Sequence, residues 1–262
     1  MNRITGTALI TGASSGIGAE FARQLAAAGH ALILVARRQE RLQQFKDELE
    51  AEYNIPVTIH PADLAQLEQI AALVAFIQGL DELAILINNA GFGTMGNLGE
   101  TDSSKQTEMV TLHVLATMEL TQAALPKMRQ QGSGHIINVS SIAAFVTGPG
   151  NVNYCATKAY INSFSRSLQL ELKGSGVYVQ ALCPGYTYSE FHDRPEMDGF
   201  ERRSMPRYLW MPATDVVRES LAYLGREKVI VIPGLLYKWM VAGLQSWLVR
   251  VPLIMYQRYL GK

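Results

Sequence analysis

Thr7-Ala-Leu-Ile-Thr11-Gly12-Ala13-Ser14-Ser15-Gly16-Ile17-Gly18 joins an apolar run of strand length to three glycines, and the helix-periodic segment Ile17–Ala28 follows directly. Clustered glycines between a strand and a helix let backbone amides approach a pyrophosphate at the helix N-terminus. The spacing here is Gly-x-x-x-Gly-x-Gly. Outward from this turn the same alternation repeats. Thr7–Thr11, Ala31–Ala36, Val57–His60, Ala84–Asn88, His135–Ser140, Val177–Cys183 and Val229–Ile232 read as strands. Ile17–Ala28, Gln39–Tyr53, Leu67–Gln78, Ser103–Gln130, Val152–Lys173 and Ala213–Gly225 read as helices, several closed by Gly29, Gly79, Gly132 or Gly174. Continuous apolar strands separated by helices predict a doubly wound α/β domain, a parallel sheet covered on both faces.

With 262 residues, 48% apolar and 18% charged, the chain has enough apolar side chains for one full core. Lys+Arg and Asp+Glu both number 23, so no net field favours nucleic acid or an acidic surface. The first residues run into the first strand without a signal-peptide pattern, and a cytoplasmic protein is expected. Cys155 and Cys183 have neither disulfide-framework nor metal-site spacing and read as small buried apolar residues; no metal site is expected.

Tyr154-Cys-Ala-Thr-Lys158 places a phenol and an amine on one helix face. A neighbouring ammonium favours the phenolate, which makes Tyr154 a candidate general acid and base, although Tyr and Lys also meet at this spacing on ordinary amphipathic helices. Ser141 begins the loop after the fifth strand, at the carboxyl edge where open α/β sheets bind ligands; a turn or cap serine reads the same way. Its neighbour Ser140 is expected to face the packed side.

Taken in order, Gly12 to Gly18, Asn88-Asn89-Ala90-Gly91, Ser141 thirteen residues before Tyr154, the Tyr154/Lys158 pair and Pro184-Gly185 resemble the classical branch of the short-chain dehydrogenase/reductase family over residues 5–232. That resemblance implies a Rossmann-type catalytic domain of seven strands over 1–232, with a substrate loop at 185–211. It also implies that Tyr154 is the acid/base, that Ser141 bonds the substrate oxygen, and that Lys158 binds the nicotinamide ribose and lowers the Tyr154 pKa. Gly12, Ser14, Ser15, Gly16, Ile17 and Gly18 would hold the phosphates. By the same resemblance Asp63 and Leu64 border the adenine, Asn89, Ala90 and Gly91 line the adenosine side, and Pro184, Gly185 and Thr187 meet the nicotinamide. A plain helix cap explains Asp63 equally well.

Cofactor choice is read from charge. Where the second strand ends, Arg37 and Arg38 stand with no carboxylate before Glu40, which favours the 2′-phosphate of NADP(H) over a bare ribose. The alternative is that both arginines only solvate the next helix. One position departs from the family pattern: His113 stands in the helix after the fourth strand where the family usually has Asn supporting a proton relay. It either preserves a relay, weakens catalysis, or is a satisfied interior histidine.

Gly185–Met211 lacks clear periodicity and carries Tyr186, Tyr188, Phe191, His192, Met197, Phe200, Met205, Tyr208, Trp210 and Met211, with Phe92, Met95 and Phe145 in nearby loops. Such a lining suits lipidic, steroid-like or aromatic carbonyls better than sugars, while Arg194, Arg202, Arg203 and Arg207 leave room for an anionic tail. After Pro233-Gly234 the tail, 233–262, is apolar at helical spacing. Its eleven uncharged residues between Lys238 and Arg250 fall short of the roughly 20 needed to span a bilayer. It either packs against another subunit, the first expectation, or covers the cleft, or lies in a membrane interface with Trp239 and Trp247 as anchors. The family resemblance also implies a homodimer or homotetramer paired through Ser103–Gln130 and Val152–Lys173. The expected function is NADP(H)-dependent interconversion of a ketone or aldehyde and an alcohol. The competing reading is an NADP(H) sensor or scaffold without turnover.

Overall fold

The computed structural model describes residues 6–193, 197 and 200–246, without the side chains of His192 and Asp193. Seven strands form one sheet: β1 (Thr7–Thr11), β2 (Ala31–Ala36), β3 (Val57–Pro61), β4 (Ile85–Asn88), β5 (Gly134–Val139), β6 (Val177–Leu182) and β9 (Ile230–Val231). Their order is β3-β2-β1-β4-β5-β6-β9, and every pairing is parallel. The order reverses between β1 and β4, which opens a crevice above their carboxyl ends. A second, two-stranded parallel sheet joins β7 (Thr187–Tyr188) to β8 (Met211–Pro212) within the segment that showed no periodicity.

Strand side chains alternate between faces, and the core divides accordingly. Ala8, Ile10, Leu32 and Leu34 pack with Phe21 and Leu25 of α1 (Gly16–Ala27), Leu42 and Leu49 of α2 (Gln39–Tyr53) and Val216 of α7 (Ala213–Leu221). Leu9, Ile33, Val35 and Leu86 face the other way. They meet Leu73 of α3 (Leu67–Gln78), Leu120 of α5 (Thr117–Gln131) and Leu168 of α6 (Val152–Glu171). Both faces of the sheet are therefore dry, as the unbroken apolar strands require.

The single helix expected over Ser103–Gln130 is instead three pieces: α4 (Ser103–Val110), a π-helical turn at Thr111–Ala116, and α5. The wider turn buries Thr111, His113 and Ala116 together. An α-helical period does not anticipate this, because a π-turn inserts a residue without a strong local composition signal. Gly79 stands at the end of α3 as expected, without a left-handed turn: its φ is −81°, whereas Gly132 closes α5 at φ +64°.

The described part of the tail forms α8 (Leu235–Gln245). Glu219 holds its start, accepting from the Gly234 amide at 2.9 Å and pairing with Lys238 at 2.8 Å. Trp247, Arg250 and Pro252 of the tail, and Arg194 of the loop, lie outside the described residues. No described helix is long and apolar enough to cross a membrane.

Candidate active site

The turn between β1 and α1 is a cradle made by missing side chains. Gly12 and Gly16 adopt φ +66° and +57°, and a Cβ on Gly18 would stand 2.3 Å from the Gly12 carbonyl oxygen. Asn89 braces this turn, its Nδ2 donating to Thr11 O at 2.9 Å and Gly12 O at 3.3 Å. The Thr11 hydroxyl in turn accepts the Asn89 and Ala90 amides at 2.9 and 3.0 Å. Ser15 precedes α1 without capping any of its amides, and the first turn holds no carboxylate. The positive end of α1 is thus left for an external anion, which fits the pyrophosphate of a dinucleotide.

Beside the cradle lies a cavity of about 510 Å³. Its walls include Gly12, Ser15, Gly16, Ile17, Asn89, Ala90, Gly91, Ser141, Tyr154, Lys158, Pro184, Gly185 and Thr187. Gly18 is buried beneath the turn, where it lets α1 approach β1. The remaining residues singled out in the sequence stand elsewhere. Asp63 caps the Ala65 amide at 3.1 Å and Leu64 is buried in the core, so neither forms part of the cavity wall. Arg38 donates to the Ser14 hydroxyl at 3.1 Å and pairs with Glu190, while Arg37 is exposed.

Ser141 takes an extended conformation, and its oxygen accepts the Ala143 amide at 3.1 Å at the start of a short 3₁₀ turn. The same side chain stands on the cavity wall near the Tyr154 phenol, whose pKa it lowers. Ser140 is buried and donates to Lys158 O at 2.9 Å, and it too borders the cavity. Lys158 Nζ donates to Val139 O at 2.9 Å and stands 5.7 Å from the Tyr154 ring centroid.

Burial pushes Tyr154 up to about 12, and the Ser141 hydroxyl offsets only part of that. Burial draws Lys158 down to about 8. Desolvation is the largest cause at both groups, and it favours the neutral phenol, a proton donor.

His113 is an interior histidine with both ring nitrogens engaged. Nε2 accepts the Phe92 amide at 3.2 Å, so Nδ1 carries the proton and donates to Thr157 Oγ1 at 3.0 Å. Thr157 then donates to Tyr154 O at 3.0 Å. Burial, with the Lys158 charge, holds the imidazole pKa well below 6.5. Burial likewise draws His135 from 6.5 to about 4. Below the ordinary value the unfolded chain takes protons that the folded chain refuses, so stability falls as pH drops from 6.5 toward those lower values. Thermal unfolding is therefore expected at lower temperature at pH about 5 than at pH about 7, with a flatter dependence in His113→Asn, which cannot gain a proton.

The loop aromatics form a cluster and part of the cavity wall, with Tyr186 and Phe200 in both. Tyr186, Tyr188, Phe200 and Trp210 stack on one another at centroid distances of 5.2 to 6.3 Å, and Arg202 lies over Trp210. Phe191, Met197, Phe200 and Met205 reach the cavity, joined by Met95 and Val146, whereas Phe92 and Phe145 stand outside its wall. Cys155 is half-buried on that wall and Cys183 is buried. α8 takes the second of the three placements read for the tail, against the cleft. Tyr237 lies against Gly185, accepts the Tyr186 amide at 2.9 Å and donates to Leu209 O, while Met240, Val241 and Leu244 extend the apolar wall. The described part of the tail thus covers the cleft. Its other face exposes Leu235 and Trp239.

Residues 6–197 match the short chain dehydrogenase family, and the chain belongs to it. It is 38% identical over 191 residues to a sulfoacetaldehyde reductase from Chromohalobacter salexigens, covering 72% of this chain and 75% of the relative. A short-chain dehydrogenase from Sphingobium yanoikuyae in complex with NADPH superposes with a TM-score of 0.82 at 35% identity, covering 90% and 92% of the two chains. A bulky-bulky ketone specific alcohol dehydrogenase from Comamonas testosteroni gives 0.77 at 30% identity, covering 97% and 92%. The protein is accordingly an oxidoreductase of the kind that uses a nicotinamide dinucleotide and acts between carbonyl and alcohol.

Proposed function

We propose that this protein is an NADP(H)-dependent carbonyl reductase, or the reverse alcohol dehydrogenase, acting on an apolar ketone or aldehyde. The observation that carries the reading is the grouping of Ser141, Tyr154 and Lys158 on the wall of a mostly apolar cavity, next to the glycine cradle. The bound nicotinamide would supply or accept the hydride. Ser141, on the same cavity wall as the phenol, holds the substrate oxygen. Tyr154 gives that oxygen its proton in reduction and recovers it in oxidation. Lys158 keeps a cation at the Val139 end of the site, where its remaining N–H groups can bind ribose hydroxyls. His113, with both nitrogens committed, positions the Gly91–Phe92 turn and Thr157 and relays no proton.

Substrate class follows from the wall. Met95, Val146, Phe191, Met197, Met205 and Met240 offer flexible apolar contact, and Arg202, Arg203 and Arg207 stand outside it. A bulky uncharged ketone fits this lining better than an anionic one, in keeping with the bulky-ketone specificity of the Comamonas testosteroni neighbour. For the nucleotide, Arg38 is the better placed of the two arginines, since it already contacts Ser14 at the rim of the cradle. Arg38→Ala should lower the preference for NADPH over NADH by about tenfold or more, with a smaller effect for Arg37→Ala. Initial rates with each nucleotide check both variants, and equal effects would remove the distinction. Two copies are proposed to pair through α4, α5 and α6, whose outer faces expose Val110, Val152 and Leu170.

The testing experiment is NADPH consumption, followed by absorbance, against aliphatic, aromatic and steroid ketones, with NADH in parallel. Turnover of bulky apolar ketones supports the reading. Tight NADPH binding with no turnover across the panel would instead favour a sensor.

A further inference from the structure

Glu190 places a carboxylate where the 2′-phosphate reading needs an anion. Its Oε2 pairs with Arg38 Nη2 at 3.1 Å and accepts from Arg41 Nη1 at 2.9 Å, and its Oε1 pairs with Arg41 Nη2 at 2.5 Å. Arg38 Nη2 also donates to the Ser14 hydroxyl at 3.1 Å. Two guanidinium groups thus converge on one negative group at the end of β2, and one of them is tied to Ser14 of the glycine cradle. Donor sets of this kind serve a carboxylate and a phosphate equally well, because both accept forked guanidinium hydrogen bonds. The carboxylate comes from the substrate loop, 152 residues away from Arg38 in sequence.

From this convergence we infer that Glu190 is a built-in stand-in for the nucleotide 2′-phosphate, displaced when NADP(H) binds, and that Arg41 is a further 2′-phosphate-binding residue. The inference rests on the NADP(H) reading above. An incoming phosphate and the Glu190 carboxylate repel each other and compete for the same donors, so both cannot hold Arg38 and Arg41 together. Displacement has a consequence at the reacting end. Phe191, the next residue, lines the cavity and meets the Tyr154 ring at a centroid distance of 6.0 Å. Releasing Glu190 frees Phe191 to shift against Tyr154, so phosphate binding is coupled to the shape of the substrate pocket. A nucleotide lacking the 2′-phosphate leaves Glu190 in place and does not trigger that change. In this way the loop discriminates between the two cofactors by more than affinity alone.

Calorimetric binding of 2′,5′-ADP and 5′-AMP tests this without turnover. In the wild type, 2′,5′-ADP should bind more tightly than 5′-AMP; equal affinities would overturn the NADP(H) reading itself. Given that preference, Glu190→Gln should tighten 2′,5′-ADP by about three- to tenfold and leave 5′-AMP unchanged, because the exposed competitor loses its charge. Adding Arg41→Ala to Glu190→Gln should weaken 2′,5′-ADP by a similar factor. An unaltered or weakened 2′,5′-ADP affinity in Glu190→Gln overturns the displacement, and an unaltered affinity in the double variant overturns the role of Arg41. Inorganic phosphate binding Glu190→Gln as tightly as 2′,5′-ADP would make this a free-anion site and overturn the assignment to the nucleotide.

Discussion

Tyr154→Phe is expected to lower turnover by about two to four orders of magnitude while leaving dinucleotide affinity nearly unchanged. The substitution removes one hydroxyl and keeps the ring. Contacts of that ring with His113 and Phe191, both at centroid distances of 6.0 Å, survive, so the pocket keeps its shape. What is lost is the phenol hydroxyl that stands with Ser141 and Lys158 on the cavity wall. With that phenol pushed up to about 12, the resting protein holds the proton a carbonyl oxygen needs. Stability should fall by no more than about 1 kcal/mol, the ordinary worth of one hydrogen bond. Steady-state rates, a fluorescence titration with NADPH and a thermal melt measured on the same preparation separate these effects. Retention of more than about a tenth of wild-type turnover would remove Tyr154 from the proposed chemistry.

The parts of this fold legible in the sequence are those set by period and by backbone necessity. All seven strands of the main sheet were marked, the inner ones by apolar runs, because strands dry on both faces cannot alternate with polar residues, whereas the edge strand β3 leaves Thr58 and Pro61 exposed. The glycine cradle was readable for a similar reason: positive φ and close approach leave few alternatives to Gly. Contacts between distant segments were less accessible. Glu190 meeting Arg38 and Arg41, and Tyr237 meeting Gly185, follow from loop placement rather than from local pattern. The β7–β8 pairing was hidden because two-residue strands carry no measurable period. Spacing alone put Tyr154 and Lys158 on one helix face, but it could not weigh desolvation against charge, and desolvation dominates at both groups. His113 shows the same division. Its position was noticed, yet only the partners Phe92 and Thr157 distinguish an interior imidazole from a relay.

Gly18→Ala is expected to be the most damaging single-methyl substitution in the nucleotide cradle. An added Cβ would lie 2.3 Å from the Gly12 carbonyl oxygen and 2.5 Å from Asn89 Nδ2. Neither atom can yield cheaply. Gly12 is fixed in a left-handed turn, and Asn89 Nδ2 is bonded to Thr11 O and Gly12 O. Relief must come from moving α1 away from β1, which loosens Phe21, Ala22 and Leu25 in the core on that face. Overpacking of this sort costs about 1–3 kcal/mol, and in a chain of this size each kcal/mol lowers Tm by about 2–4 °C. The same shift withdraws the α1 amides from the phosphates, so dinucleotide affinity should fall further than stability does. Gly99→Ala supplies the control. Its added Cβ meets nothing within 4 Å, and its φ is not positive. That variant should stay within about 0.5 kcal/mol of wild type and bind NADPH normally. A Gly18→Ala protein that matched it in both measurements would mean that α1 can retreat from β1 without disturbing the anion site, and the close approach of helix to strand would no longer explain why glycine stands at this position.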